Sequence, residues 1–185
     1  VGHSPRTASR RPDQLRLLQV ASLSHVKNQV LLIEAVALLA RDLDVRLDLA
    51  GEDTLDGALQ AYARDLGVAD RVLFHGYVAH DQLAPLFANA DIYVQSSRHE
   101  AAAVAVLEAA AIGIPVVGTR VGYVADWADD KVVAVDAATP QALSRAIQEL
   151  HADGVRANKL SAAAGAWPRS HDADWTAAEF DRLYR

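Results

Sequence analysis

The feature that most constrains the fold of this chain is a regular alternation of short apolar runs and longer segments with helical periodicity. The apolar runs predict strands at residues 15–21, 45–50, 72–74, 91–94, 115–118 and 131–135. The periodic segments predict helices at residues 28–40, 55–66, 80–88, 104–111, 140–150, 154–166 and 174–184, with Thr54 and Thr139 as the N-caps of the second and the fifth. Because helices that separate short buried strands form crossover connections, the pattern predicts an α/β fold: a Rossmann-like, doubly wound parallel sheet of about six strands.

The same pattern predicts the domain organisation. Residues 1–14, which are basic and contain two prolines, are expected to be a linker from a missing N-terminal domain. Residues 15–170 are expected to form one domain, which is long enough for a sizeable core, and residues 171–185 a C-terminal helix. The chain contains no Met, not even at position 1, so we expect it to be a piece of a longer protein.

Composition narrows the class of protein. The formal net charge of −6 argues against a broad surface for nucleic acid or for anionic membranes. The absence of Cys excludes disulfides and cysteine-ligated metals and is consistent with a cytoplasmic location. No apolar run approaches the roughly 20 residues of a membrane-spanning helix, and the first dozen residues lack the apolar stretch of a signal peptide.

Two glutamates, Glu100 and Glu108, carry the most informative chemistry. Glu100 is expected in a loop after a strand, and Glu108 about two turns into the following helix, roughly on the same side, since eight residues leave about 80° of rotation. Free backbone N–H groups at the helix start, near Ala102, Ala103 and Val104, predict an anion site between them. A diphosphate suits such a helix start, and a carboxylate accepts paired hydrogen bonds from the vicinal hydroxyls of ribose or of a sugar.

The stretch around these glutamates resembles a known family. The pattern S-x-x-E, then E-A, then G-x-P-V-V-G-T and a later Gly within residues 91–122 resembles the E-x7-E signature of family 4 glycosyltransferases. Further segments resemble the same family in the same order: residues 20–23 with 27–28, residues 49–51, residues 70–77 and residues 90–94. The resemblance covers about residues 15–150.

The resemblance implies a fold and an activity. In that family two Rossmann-like halves form the GT-B fold, and the C-terminal half, which this chain resembles, binds the nucleotide-sugar. It implies retaining transfer of a hexose from a UDP- or GDP-sugar by the whole protein, with an isolated half that is inactive. It also implies a missing N-terminal half that binds the acceptor and allows peripheral membrane contact, and it gives no nucleic-acid partner.

Residue roles follow from the resemblance as well. It makes Glu100 the catalytic residue that contacts the transferred sugar, Glu108 the ribose ligand and Lys27 the cation that neutralises the diphosphate. The other donor-binding positions that it implies are Ser22, Gly76, Tyr77, Ser97, Ala102, Ala103 and Val104. No cofactor and no metal is implied, because Lys27 and the helix dipole take over charge neutralisation.

Departures from the family pattern keep a second hypothesis open. Ser22 stands where the family usually has Arg, and residues 101–103 are alanines where it usually has glycines. Alanine retains the N–H donors, but its Cβ would crowd the diphosphate if the backbone needs a positive φ there. The chain could therefore be a non-catalytic nucleotide-binding subunit or a degenerate half of a split transferase.

Two other classes of α/β protein do not fit the sequence. A Rossmann dehydrogenase does not fit, because no G-x-G-x-x-G follows the first strand, and a flavodoxin-like phosphoacceptor domain lacks its acidic pair there. Glu108 could be an ordinary exposed helix residue, and Glu100 a carboxylate that stabilises the helix dipole. Lys27 could be a solvated lysine, although a helix start is a poor place for a cation.

Overall fold

The computed structural model describes residues 14–171, apart from the side chains of residues 169 and 170. Six strands form one sheet: β1 (Gln14–Val20), β2 (Asp44–Ala50), β3 (Val72–Gly76), β4 (Ile92–Gln95), β5 (Val116–Thr119) and β6 (Val133–Val135). The helices are α1 (Gln29–Leu39), α2 (Ala58–Asp65), α3 (Ala84–Asn89), α4 (Val104–Ile112), α5 (Tyr123–Asp126), α6 (Pro140–Ala152) and α7 (Gly154–Ser170). The helix predicted at residues 174–184 lies outside the described residues, as does the predicted linker except for Gln14, which begins β1.

The sheet is doubly wound, as predicted. Its strands are all parallel and follow the order β3-β2-β1-β4-β5-β6. The chain builds outward from β1 to β3, returns to β4 on the other side of β1, and then builds outward again. The switch point therefore lies between β1 and β4, where the two halves diverge and where sheets of this kind bind ligands at the carboxyl ends of their strands.

Apolar side chains cover both faces of the sheet. Neighbouring residues on one strand enter opposite cores: Leu17 packs with α1 and α6, whereas Leu18 packs with α3, α4 and α7. This alternation follows from the two-residue period of a strand, and it gives the sheet an apolar core on each face. Trp127 is buried and packs against Tyr123 and Trp167.

The second predicted helix begins three residues late, and Thr54 is not its cap. The Thr54 hydroxyl donates to the carbonyl of Leu23 at 2.7 Å. The Asp53 carboxylate instead accepts the backbone N–H groups of Leu55 at 2.8 Å and Gly57 at 3.1 Å. This polar turn holds residues 56 and 57 at left-handed φ values of 49° and 81°, so α2 cannot begin before Ala58.

Other boundaries differ for local reasons. The helix predicted at residues 80–88 is divided into a 3₁₀ turn, His80–Gln82, and α3, with a proline in the first turn of α3. Helix α5 was not predicted, and α7 continues past residue 166 to Ser170. Thr139 caps α6 as predicted, because its hydroxyl accepts the N–H of Ala142 at 3.2 Å. Among residues 14–171, no helix is long and apolar enough to cross a membrane.

Candidate functional site

The carboxylate of Glu100 is the centre of a compact polar cluster beyond the end of β4. Its Oε1 atom accepts hydrogen bonds from the Lys27 ammonium at 2.5 Å, from the Gln95 amide at 2.8 Å and from the Ser97 hydroxyl at 2.8 Å. The Glu100 side chain is 9% exposed, whereas that of Lys27 is 26% exposed. The structure thus brings together three of the predicted site residues, Lys27, Ser97 and Glu100.

These neighbours set the protonation of Glu100. Burial by itself raises the pKa of its carboxyl, since a low-dielectric surrounding disfavours the charged form. The hydrogen bonds from Lys27, Ser97 and Gln95 and the positive charge of Lys27 outweigh burial, and they hold the pKa of Glu100 below its ordinary value. Glu100 is therefore a carboxylate at neutral pH, and both of its oxygens can only accept hydrogen bonds.

The loop between β1 and α1 is tied to the segment after β4, and this places Lys27. The Ser96 hydroxyl donates to the carbonyl of Lys27 at 2.9 Å. The backbone N–H of Arg98 donates to the carbonyl of Val26 at 2.8 Å, and its guanidinium donates to the Asn28 amide oxygen at 3.3 Å. Because β1 and β4 are neighbours in the sheet, residues 73 apart in sequence meet at one edge.

The start of α4 lies directly after Glu100. Ala103 is the N-cap residue with φ 65° and ψ 71°, and no side chain caps this helix end with a hydrogen bond. Gly122 makes room for this loop, since an added Cβ would lie 3.0 Å from the Glu100 Cβ and 3.2 Å from the Ala102 carbonyl oxygen. Exposed N–H groups at a helix N-terminus attract anions, so the position predicted for a phosphate is a helix end of the required kind.

Glu108 lies about one turn into α4, and not two turns as predicted, because the helix begins only at Val104; its side chain is 24% exposed. Its Oε1 lies 3.3 Å from Nδ1 of His80 in the 3₁₀ turn after β3. Burial raises the pKa of Tyr93 above its usual range, and the charges of Glu100 and Glu108 raise it further. Tyr93 lies on β4, and its hydroxyl donates to the carbonyl of Val20 at 3.4 Å.

The remaining predicted positions lie after β1 and at the end of β3, two strands that β2 separates in the sheet. The carbonyl of Gly76, at the end of β3, accepts the N–H of Gly51 at 2.8 Å. Tyr77 is 79% exposed. The Ser22 carbonyl accepts the Gln29 side-chain amide at 3.0 Å. Within residues 14–171, no hydrogen bond or ion pair joins Ser22, Gly76 or Tyr77 to the Lys27–Glu100 pair.

Sequence reasoning missed the buried polar residues that support the cluster. Gln95 and Ser96 follow the apolar run of β4 and are buried, and each contacts a predicted site residue. Thr119 donates to the carbonyl of Ser97 at 2.5 Å. A polar Q-S-S end to an otherwise apolar strand is the signal that could have identified Gln95 and Ser96. Within residues 14–171, no group of three or more metal-ligating side chains is placed to hold a metal ion.

The fold and this site define one Rossmann-like half of a GT-B glycosyltransferase. Residues 4–167 match the model of the family "Glycosyl transferases group 1", and the chain belongs to that family.

Curated relatives agree with this assignment. The chain is 31% identical over 152 residues to D-inositol 3-phosphate glycosyltransferase of Paenarthrobacter aurescens, covering 77% of this chain and 37% of the relative. It is 36% identical over 133 residues to the lipopolysaccharide core biosynthesis glycosyltransferase LpsE of Rhizobium meliloti, covering 70% and 37%. The chain thus spans little more than a third of the length of these relatives.

Solved structures share the fold. The complex of Anabaena Alr3699/HepE with UDP and glucose superposes with a TM-score of 0.82 at 21% identity, covering 92% of this chain and 48% of that chain. WaaG, a glycosyltransferase involved in lipopolysaccharide biosynthesis, superposes with a TM-score of 0.74 at 28% identity, covering 88% and 44%. This chain therefore corresponds to about half of each solved chain.

Proposed function

We propose that this chain is the nucleotide-sugar-binding half of a retaining glycosyltransferase that transfers a hexose from a UDP- or GDP-sugar. The observation that carries the proposal is the contact of Lys27 with Glu100 beside the uncapped start of α4. A cation, a carboxylate and free helix N–H groups at one edge suit the diphosphate and the sugar of such a donor.

Each group has a distinct part in the proposal. Lys27 and the α4 N-terminus neutralise the diphosphate, so the reaction is proposed to need no metal ion. Glu100 accepts hydrogen bonds from hydroxyls of the transferred sugar. Glu108 accepts the two ribose hydroxyls, for which a carboxylate has two matched acceptor oxygens.

The whole protein is proposed to need a second half. Transfer requires an acceptor held on the far side of the sugar and a site from which water is excluded. We propose that an N-terminal half supplies that wall and the acceptor site, and that the enzyme works in the cytoplasm. The partial coverage of the relatives supports a second half.

A second candidate function is a nucleotide-binding subunit without catalysis. Ala103 favours it, because this N-cap residue has a left-handed φ of 65° that a side chain with Cβ adopts only with strain. Ser22 also leaves the site without the second cation that the family pattern places there.

Calorimetric titration of the chain with UDP, GDP, UDP-glucose and GDP-mannose tests the proposal. We expect one nucleoside diphosphate and its sugar conjugate to bind, and binding by none of the four would contradict the proposed function. An assay of the full-length protein distinguishes the two candidate functions. A full-length protein that binds a donor but neither transfers nor hydrolyses it would favour the non-catalytic subunit.

A further inference from the structure

A buried glutamine amide reaches the Glu100 carboxylate from inside the sheet. We propose that Gln95 is a positioning residue: it holds the carboxylate of Glu100 in one orientation, so that Oε2 is presented to a hydroxyl of the donor sugar. The inference rests on the proposed function of Glu100, and it assigns a role to a residue that contacts neither nucleotide nor sugar itself.

The hydrogen-bond geometry gives the Gln95 amide one arrangement. Its Nε2 donates to the Ser97 hydroxyl at 2.7 Å and to Glu100 Oε1 at 2.8 Å, which uses both amide hydrogens. The Ser97 hydroxyl then donates its own hydrogen to the same Oε1 at 2.8 Å. Because a carboxylate only accepts, the nitrogen and not the oxygen of the Gln95 amide must face Glu100.

The surrounding sheet leaves space for this side chain. Gln95 is opposite Gly118 on β5, where an added Cβ would lie 2.7 Å from the Gln95 Cβ and 2.6 Å from its carbonyl oxygen. Gln95 is 2% exposed and Ser97 fully buried, so water does not compete for these donors. A buried amide is costly unless it is hydrogen-bonded, so Gln95 stabilises the fold only with Glu100 and Ser97 in place.

All three donors to the carboxylate end on the same oxygen. Lys27, Gln95 and Ser97 each bond to Oε1, and none of the hydrogen bonds among residues 14–171 ends on Oε2. Gln95 is the last residue of β4 and Ser97 lies two residues beyond it, whereas Lys27 comes from the loop between β1 and α1. When the Lys27 ammonium binds a diphosphate, Gln95 and Ser97 still donate to Oε1. Oε2 therefore retains its orientation toward the sugar.

Comparison of each donor with its nucleoside diphosphate tests this role. We expect Gln95→Met, which fills the same space without donors, to weaken UDP-glucose or GDP-mannose by about three- to tenfold and to leave UDP or GDP unchanged. Gln60→Met is the control. Gln60 is a partly buried helix glutamine whose amide donates to Asp53 at 3.1 Å and not to Glu100. In the double variant, Gln95→Met should weaken sugar binding no further than Glu100→Ala does alone.

A measurement without ligand separates this inference from the proposed function. Carboxyl-carbon NMR should show a higher pKa for Glu100 in Gln95→Met than in the parent, because a hydrogen bond to the charged form is lost. Gln95→Asn, whose shorter amide falls short of Glu100, should give the same shift if Gln95→Met does not fold. An unchanged pKa, or equal weakening of UDP and UDP-glucose, would overturn the positioning role. A parent chain that binds no donor, with the pKa shift present, would instead overturn only the function proposed for Glu100.

Discussion

The ammonium of Lys27 lies 2.5 Å from Oε1 of Glu100, so the cation proposed for the diphosphate is paired with the carboxylate proposed for the sugar. The pair spans the switch point of the sheet, from the loop after β1 to the segment after β4. In the proposed roles, Lys27 binds the diphosphate of a donor and Glu100 binds its sugar. Binding at one end therefore changes the electrostatics at the other, since the same ammonium serves both.

Replacement of Lys27 should separate charge from base recognition. We expect Lys27→Ala to weaken the binding of UDP or GDP by about tenfold or more. The affinity for the free nucleoside should be almost unchanged, because only the diphosphate needs a cation. Ser22 cannot supply a second cation, so no residue there shares the loss. Calorimetry measures the affinity for the nucleotide and for the nucleoside, and Lys159→Ala, at an exposed position of α7, is the control that removes a lysine elsewhere. Equal losses for nucleoside and nucleotide would indicate a structural role for Lys27.

Glu108 should contribute to nucleotide affinity through the ribose. Loss of its charge-assisted hydrogen bonds in Glu108→Ala should weaken UDP or GDP by roughly 10- to 150-fold, with an unchanged circular dichroism spectrum. The same substitution should reduce the affinity for a 2′-deoxynucleotide less than the affinity for the ribonucleotide. Glu149→Ala, on the exposed face of α6, is the control. If Glu108→Ala binds both nucleotides as tightly as the parent, the ribose role is wrong.

The pKa of Glu100 predicts a dependence of stability on pH. Hydrogen bonds and the charge of Lys27 hold this pKa below its ordinary value of 4.5 in the folded chain. A carboxyl whose pKa is lower in the folded chain than in the unfolded chain stabilises the fold at pH values above the unfolded pKa. This stabilisation is lost as the pH falls through the folded pKa. The difference in unfolding free energy between the parent and Glu100→Gln should therefore be constant near neutral pH and shrink on acidification. Urea titrations between about pH 7 and pH 3 measure it, and a difference independent of pH would contradict the ion pair.

Most of the fold could be predicted from the sequence because each strand is a separate apolar run. The handedness of crossovers then leaves few ways to arrange the strands. Predicted helix boundaries were wrong where a side-chain hydrogen bond determines the start of a helix. Before α2, Asp53 accepts a backbone N–H of the turn, whereas Thr54, the expected cap, donates to the carbonyl of Leu23. Helix α5, with four residues, is too short to show a helical period.

The site was predictable in its parts but not in its connections. The sequence places Lys27 and Glu100 at strand ends, yet nothing in either segment shows that the two side chains pair. Gln95 was missed because a single buried amide has no periodicity, and only the tertiary structure shows the donors it makes to Ser97 and Glu100. Residue types are local information, whereas hydrogen-bond partners depend on the register of neighbouring strands.

Ala103 should be a site where glycine stabilises the chain. Its φ of 65° is left-handed, and relief of that strain exceeds the added chain entropy of glycine, so Ala103→Gly should raise the unfolding free energy by about 0.5–1 kcal/mol. Ala101→Gly, in the same loop without a positive φ, should give no gain. Gly113→Ala at the other end of α4, where φ is 82°, should lower stability by about 1 kcal/mol. Urea denaturation decides, and destabilisation by Ala103→Gly would show that the left-handed conformation carries no strain.

The chain by itself should bind a nucleotide without transferring a sugar. Lys27, Glu100, Glu108 and the start of α4 all belong to this one domain, so a nucleotide site can form without a second half. Catalysis needs more, because the acceptor must be oriented against the sugar and water must be kept away. With one wall of that cleft, we expect weak binding by calorimetry and at most slow donor hydrolysis, measured as release of UDP or GDP. Glu100→Gln should abolish even the hydrolysis. Sugar transfer to an acceptor by these 185 residues alone at ordinary enzyme rates would show that no second half is needed.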